Sequence, residues 1–158
     1  CHAYSGLLRE QARGMTQSHR IFVALDSSDR ASLVLTAAKR LAELTSSKLI
    51  LFRAVSIPPD LPHTVFEVSD VRLEEMLLAN ARADLAQQAK QVEGYVDKLH
   101  CVFGTAWDSI CREAKEANAD LIVIGSHGHS LVARMVGTTA AKVVNHADRN
   151  VLVIRTLL

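Results

Sequence analysis

The chain of 158 residues carries 18 lysines and arginines against 17 aspartates and glutamates, a formal net charge of +1, and 49% of its residues are apolar. This length predicts one domain with a sizeable core, since a chain of this size buries roughly 70% of its surface on folding. The near-zero net charge argues against nucleic acid and membrane surfaces as main partners. No apolar run approaches the ~18 residues that a membrane-spanning helix needs.

The cysteines and the N-terminal segment indicate a cytoplasmic protein. Cys1, Cys101 and Cys111 are odd in number and lack the Cys-x-x-Cys spacing of zinc sites, which favours a reducing compartment. We expect Cys101 and Cys111 to act as small buried hydrophobic residues. Residues 1–14 differ in composition from the rest and show no secretory signal. We interpret them as a vector-derived leader or a tail, and residues 15–158 as a single domain.

The first predicted strand, residues 20–25, is apolar and ends at Asp26-Ser27-Ser28, which has the side chains of a helix N-cap. The helix that follows ends at Thr45-Ser46-Ser47. Its buried face is predicted from leucine and alanine residues spaced three or four positions apart. These residues are Leu33, Ala37, Leu41 and Leu44.

The middle of the chain continues the alternation with a second strand at Lys48–Val55 and a long helix over about residues 69–92. The apolar positions of this helix recur every four residues, at Leu73, Leu77, Ala81 and Leu85. A weaker third strand covers residues 98–103. Thr105 and Asp108 have the spacing of a capping box, which predicts the start of another helix. That helix aligns Trp107, Ile110, Ala114 and Ala117.

The last part of the chain contains a fully apolar strand at residues 121–124, a helix from Thr138 to about His146 and a strand at residues 151–154. The apolar face predicted for this helix consists of Ala140, Val143, Val144 and Ala147. Apolar strands that alternate with amphipathic helices predict an α/β fold with helices on both faces of a parallel sheet. Five strands and four helices fit a doubly wound sheet. Ligands of such folds bind beyond the carboxyl ends of the strands.

The segment LIVIGSHGHSLVARMVGTT, residues 121–139, is the most informative part of the chain. It predicts a buried strand, a loop with glycines, and Gly-Thr-Thr at the start of a helix. The first amides of a helix lack intrahelical partners and its dipole is positive there, so this arrangement suits phosphate groups. An ordinary strand-to-helix connection explains the glycines equally well from this segment alone.

A second strand end bears on the same interpretation. Asp26 follows the first strand and Gly125 ends the fourth, so neighbouring strands would place a carboxylate and the glycine loop at one crevice. The carboxylate could accept hydrogen bonds from ribose hydroxyls or from an adenine amine. Capping of the first helix is an equally good role for Asp26 on spacing alone.

Over residues 19–155 the chain resembles the universal stress protein family. The resemblance rests on IFVALDSS near the start, ADLIVIGSHG in the middle and GTTAAKVVNHADRNVLVIR at the end. The nucleotide-binding branch of that family has a motif of Gly, two residues, Gly, nine residues, and then Gly with Ser or Thr. The matching residues here are Gly125, Gly128, Gly137 and Thr138.

The resemblance implies the strand order 3-2-1-4-5 and a site for ATP or another adenine nucleotide in the crevice. Asp26 would contact the adenosine part, and Val55 would pack on the adenine. The remaining implied contacts are main-chain atoms at Ala24 and Leu25, the ribose side at Ile124 and Gly125, and the phosphates at His127, Gly128, His129, Gly137, Thr138 and Thr139. Mg²⁺, if bound, would be held mainly through the phosphates.

The resemblance also implies a homodimer formed through the last strand, between Val151 and Arg155, that acts as a nucleotide-dependent switch in stress responses with an unknown protein partner. We expect ATP hydrolysis to be slow at most, because the glycine loop has no lysine and offers only His127 and His129 as bases. A less favoured alternative is a true nucleotide-transfer enzyme, which would show rapid turnover that depends on His127.

Two departures from the family motif support a different alternative, a dimeric interaction protein that does not bind nucleotide. Eight residues, HSLVARMV, separate Gly128 from Gly137 instead of nine, and His129 stands where the family commonly has arginine. A histidine is largely neutral at pH 7 and attracts phosphate less strongly than arginine.

Other site chemistries find little support in the sequence. His127 and His129 form a His-x-His pair but no third metal ligand stands at a recognisable spacing. The chain contains neither a Walker loop nor the Gly-x-Ser-x-Gly motif of serine hydrolases. Arg53 is an unexpected charge in the apolar second strand, either facing the crevice or lying at its rim with a buried stem.

Overall fold

The computed structural model describes residues 19–57, 70–126 and 138–155, with the side chain of Asp70 excepted. The leader predicted at residues 1–14 and most of the glycine loop therefore lie outside the described residues. The elements are β1 (Arg20–Ala24), α1 (Ala31–Thr45), β2 (Lys48–Val55), α2 (Asp70–Ala89) with a 3₁₀ turn (Lys90–Val92), β3 (Val96–Phe103), α3 (Ala106–Glu116), β4 (Leu121–Ser126), α4 (Thr139–His146) and β5 (Asn150–Arg155).

The strands form a parallel sheet, as the sequence pattern predicted, in the order β3-β2-β1-β4-β5, as the family resemblance implied. Ala24 at the end of β1 pairs with Phe52 of β2 and with Ile124 of β4. This register aligns the carboxyl ends of the three central strands. The residues that follow them, including Asp26, lie at the same edge of the sheet.

Alternate side chains of each central strand point to opposite faces of the sheet, because successive residues in a strand face opposite ways. Ile21, Val23, Leu49 and Leu51 pack with α1 and α2 in one buried cluster. Phe22, Ile50, Phe52 and Ile122 pack with α3 and α4 in a second cluster. Helices therefore cover both faces, which confirms the doubly wound α/β architecture.

The predicted buried face of α1 was only partly correct, since Leu41 packs half-buried against the core cluster. Leu33 and Leu44 are 44% and 76% exposed, whereas the buried residues of α1 are Ala31, Val34, Leu35, Ala38 and Ala42. Three of these five are alanines, which let the helix axis approach the strands closely. The predicted face is rotated by about one residue, or 100° on a helix of 3.6 residues per turn.

The later helices bury the faces that the sequence predicted. In α2, Leu73, Ala81 and Leu85 are buried. In α3, Ile110 and Ala114 are buried, while Trp107 and Ala117 pack half-buried against the same cluster. In α4, Ala140 and Val143 are buried, although Val144 is 47% exposed.

Two predicted helix caps differ from the structure. The N-cap position of α1 is occupied by Arg30, not by a residue of the predicted capping segment Asp26-Ser27-Ser28. The Asp26 carboxylate accepts hydrogen bonds from the Ser28 amide (2.9 Å) and hydroxyl (2.6 Å). Thr105 precedes α3 as predicted, but its side chain makes no capping hydrogen bond within the described residues. Asp108 pairs with Arg112 one turn later, at 3.2 Å. The carboxylates of Asp26 and Asp108 therefore make contacts other than helix capping.

The two cysteines of the described residues are free thiols. Cys101 is buried in β3, as predicted, while Cys111 in α3 is only half-buried. Burial raises the pKa of both thiols above the usual value for cysteine, so the reactive thiolate is scarce at neutral pH.

Candidate functional site

A cleft with a volume of about 290 Å³ opens at the carboxyl ends of β1, β2 and β4. Its size lies just below the range of small-molecule sites, roughly 300–1,000 Å³. The first residues of α1, α3 and α4 form its sides. Doubly wound folds bind their ligands in such a crevice, at the point where the strand order reverses, which here lies between β1 and β4.

The floor of the cleft is apolar. It is formed by Ala24 of β1, Phe52 and Ala54 of β2, Ile110 of α3 and Ile124 of β4. The Phe52 ring is fully buried and lies 4.9 Å from the ring of Phe22, which holds it in place from below. An apolar surface of this kind suits an aromatic base.

One wall of the cleft is polar and carries Asp26, Ser27 and Arg30. The Asp26 carboxylate is oriented by its hydrogen bonds from the Ser28 amide and hydroxyl, at 2.9 and 2.6 Å. Asp26 is exposed, so its carboxylate can accept further hydrogen bonds from a ligand hydroxyl or amine.

Another part of the cleft is formed by the N-terminus of α4. Thr138 is the N-cap residue, and its hydroxyl accepts a hydrogen bond from the amide of Ala141 at 3.2 Å. Thr138 and Thr139 both line the cleft. The amides at a helix N-terminus and the positive end of its dipole attract anions. The cleft therefore contains both an anion-attracting helix end and a carboxylate.

Arg53 is a buried cation at the edge of this cleft. It is 6% exposed, and its Nη2 atom donates to the main-chain oxygen of Asp26 at 2.9 Å and to Oε1 of Gln88 in α2 at 2.7 Å. Its Nη1 atom lies 3.5 Å from a carboxylate oxygen of Asp84. Arg53 was predicted either to face the crevice or to lie at its rim. Because Arg53 is one of the residues that line the cleft, the structure supports the first position.

Most described residues from the predicted nucleotide site line the cleft. They are Ala24, Leu25, Asp26, Ile124, Gly125, Thr138 and Thr139. Val55 instead packs against the core cluster on the side of α1 and α2. His127, Gly128, His129 and Gly137 lie outside the described residues.

The sequence prediction missed several cleft residues. Ala54, near the end of β2, lines the cleft, and counting two residues on from Phe52 along the strand would have identified it. Ala106 and Ile110 also line the cleft. They come from α3, and the sequence carries no signal for how closely that helix approaches the ends of β1 and β4.

Metal sites and membrane-spanning helices can be assessed in the described part of the chain. Within residues 19–57, 70–126 and 138–155, no three histidine, cysteine or acidic side chains cluster as metal ligands. None of the helices in that part of the chain is both long and apolar enough to cross a membrane.

A sequence model of the universal stress protein family matches residues 17–155, most of the chain. The chain belongs to the universal stress protein family. Universal stress protein A homolog 2 of Coxiella burnetii is 30% identical over 135 residues, which cover 85% of this chain and 92% of that protein. The matched length is therefore nearly the full length of the relative.

Solved structures of universal stress proteins share the fold. A universal stress protein in complex with cAMP superposes with a TM-score of 0.65 at 23% identity, covering 88% of this chain and 98% of the other. The universal stress protein from Archaeoglobus fulgidus in complex with dAMP gives a TM-score of 0.54 at 23% identity, covering 86% and 97%. At this identity the similarity establishes the α/β architecture.

Proposed function

We propose that this universal stress protein binds an adenine nucleotide, with ATP as the first candidate, in the cleft at the carboxyl ends of β1, β2 and β4. The observation that carries the proposal is that three surfaces of different chemistry line one cleft. They are an apolar floor, the carboxylate of Asp26 and the N-terminus of α4 at Thr138. These surfaces suit an aromatic base, a ribose and a phosphate chain, respectively.

In the proposed complex the base rests on Ala54 and Ile124, and Asp26 accepts a hydrogen bond from the adenosine part. The phosphates lie at the first amides of α4, beside Thr138 and Thr139. Proteins of the same fold that have been crystallised with cAMP and dAMP support an adenine nucleotide as the ligand class. Mg²⁺ would be held mainly by the phosphates, which need few protein ligands.

We further propose that the protein acts as a cytoplasmic homodimer whose conformation or partner affinity changes with nucleotide state during stress. Hydrolysis of ATP is expected to be slow at most. The loop between Gly125 and Gly137 contains no lysine to neutralise charge on the transferred phosphoryl group. Only His127 and His129 in that loop could serve as a base.

A charge placed next to Thr138 tests the phosphate end of the proposed site. Gly137→Asp adds a carboxylate directly before the N-cap of α4, and repulsion between the two anions should abolish Mg-ATP binding in a calorimetric titration. Asn80→Asp adds the same charge on the exposed side of α2 and should bind like the wild type. Unchanged binding by a folded Gly137→Asp protein would contradict phosphate binding at this helix.

A dimeric interaction protein that does not bind nucleotide is the second candidate, favoured by the eight residues between Gly128 and Gly137 and by His129. It predicts a folded dimer in which no Mg-ATP binding is detected up to millimolar nucleotide. The same titration therefore distinguishes the two candidates.

A further inference from the structure

Arg53 is a costly residue in its position. It follows the apolar run Leu49, Ile50, Leu51 and Phe52 in β2, and its side chain is almost completely removed from solvent. Burial of a guanidinium group costs free energy unless hydrogen bonds and opposite charges compensate it. An apolar residue would fill a strand position at lower cost, so the charge calls for an explanation.

The compensation of this charge is incomplete. Its acidic neighbour Asp84, 3.5 Å away, is 67% exposed, so solvent screens the ion pair. The Nε atom of Arg53 is buried and has no hydrogen-bond partner within the described residues. The strongest contacts of Arg53 are therefore the two neutral acceptors of its Nη2 atom, the carbonyl of Asp26 and the amide oxygen of Gln88.

These two contacts join the cleft to α2. Arg53 Nη2 lies 2.9 Å from the main-chain oxygen of Asp26 and 2.7 Å from Gln88 Oε1, and Gln88 Nε2 lies 3.4 Å from that same main-chain oxygen. The carboxylate of Asp26 is held separately by Ser28. The Asp26 residue is thus fixed at its main chain from one side and at its side chain from the other.

We infer that Arg53 is a positioning residue of the nucleotide site, which holds the main chain of Asp26 so that the Asp26 carboxylate faces the adenosine part of the ligand. Gln88 extends this restraint to α2. The inference rests on the proposed nucleotide binding. It predicts that Arg53 raises the affinity for the nucleotide indirectly, by holding Asp26 in position. Preorganisation of this kind raises affinity because less conformational freedom is lost on binding.

A double-mutant cycle tests this path. The affinity for Mg-ATP is measured by calorimetry for the wild type, Arg53→Met, Asp26→Ala and the double variant. Loss of charge-assisted hydrogen bonds at Asp26 should weaken binding about tenfold in Arg53→Met. In the Asp26→Ala background the same substitution should change affinity by no more than about twofold, since the carboxylate that Arg53 positions is gone.

Arg149 supplies a matched control. Its Nη1 atom donates to the main-chain oxygens of Ala114 at 2.9 Å and Ala119 at 2.7 Å. It braces main-chain oxygens as Arg53 does, but it precedes β5, at the other end of the sheet from the cleft. Arg149→Met should lower the unfolding midpoint in urea without changing the affinity for Mg-ATP.

The possible results distinguish a failure of the positioning role of Arg53 from a failure of the proposed nucleotide binding. Equal losses of affinity from Arg53→Met in both backgrounds, or no loss in either, would overturn the positioning role while nucleotide binding stands. A folded wild type that binds no Mg-ATP would overturn both. If Arg53→Met does not fold, Gln88→Ala removes one link of the restraint, and its smaller loss of affinity must likewise vanish in the Asp26→Ala background.

Discussion

At the end of β2, one residue lines the cleft and the residue next to it packs against the hydrophobic core. Ala54 lies on the floor of the cleft, while Val55 packs against the cluster that β1 and β2 form with α1 and α2. The small side chain of Ala54 leaves the volume that a base would fill. A single methyl group therefore sets the depth of the cleft at this point.

Substitution of Ala54 should change the affinity for Mg-ATP, whereas substitution of Val55 should change the stability of the fold. Ala54→Phe fills the cleft floor and is expected to weaken Mg-ATP binding by at least tenfold, which calorimetry measures. Val55→Ala removes two methyl groups that pack on the core and should lower the free energy of unfolding by about 1 kcal/mol, with affinity unchanged. A loss of affinity in Val55→Ala without one in Ala54→Phe would instead support Val55 as the residue that packs on the adenine.

The sequence predicts cleft residues where they belong to a recognisable strand end or helix start. Asp26, Gly125 and Thr138 follow this rule, and all three line the cleft. Ile110 and Arg53 do not follow it. Ile110 reaches the cleft only because α3 packs across the sheet, and the hydrogen-bond partners of Arg53 come from distant segments of the chain.

Two helix starts in this fold carry threonine in the same position but with different contacts. Thr138 caps α4, because its hydroxyl accepts the amide hydrogen of Ala141. Thr105 has extended main-chain geometry before α3, yet its hydroxyl makes no capping hydrogen bond within the described part of the chain. Sequence patterns alone suggest a cap at both.

Alanine substitution should distinguish the two threonines. Thr138→Ala is expected to lower the free energy of unfolding by about 1 kcal/mol, the usual value of an N-cap. Thr105→Ala should change it by less than about 0.5 kcal/mol, as for a surface residue without such a contact. Urea denaturation followed by circular dichroism measures both. Equal losses, or a Thr138→Ser variant as unstable as Thr138→Ala, would contradict the capping role.

Element types were predictable because apolar strands and amphipathic helices alternate throughout this chain. The orientation of α1 was not. Spacing selected Leu33 and Leu44, but the close approach of α1 to the sheet requires the small residues Ala38 and Ala42 at the contact. Helix packing distance is a tertiary property, and leucine spacing carries no information about it.

At the scale of the whole molecule, the sheet ends in two edge strands, β3 and β5. Each exposes one large apolar side chain to a similar degree, Leu99 at 40% in β3 and Leu152 at 39% in β5. An exposed edge strand pairs readily with another chain. The proposed homodimer uses β5, so the two leucines provide a matched comparison.

Leu152→Lys should convert the dimer to a monomer in light scattering after gel filtration, because it places a charge in the proposed interface. Leu99→Lys makes the same change on the opposite edge and should leave the dimer intact. A monomeric Leu99→Lys protein beside a dimeric Leu152→Lys protein would move the interface to β3.

The central claim is that the cleft beside Asp26 and Thr138 binds an adenine nucleotide. Titration of the nucleotide-stripped protein with Mg-ATP in a calorimeter tests it most directly, after absorbance has shown whether nucleotide remained bound through purification. Stoichiometric binding with a micromolar dissociation constant is the predicted result. A folded protein that releases no heat of binding up to millimolar ATP would contradict the claim.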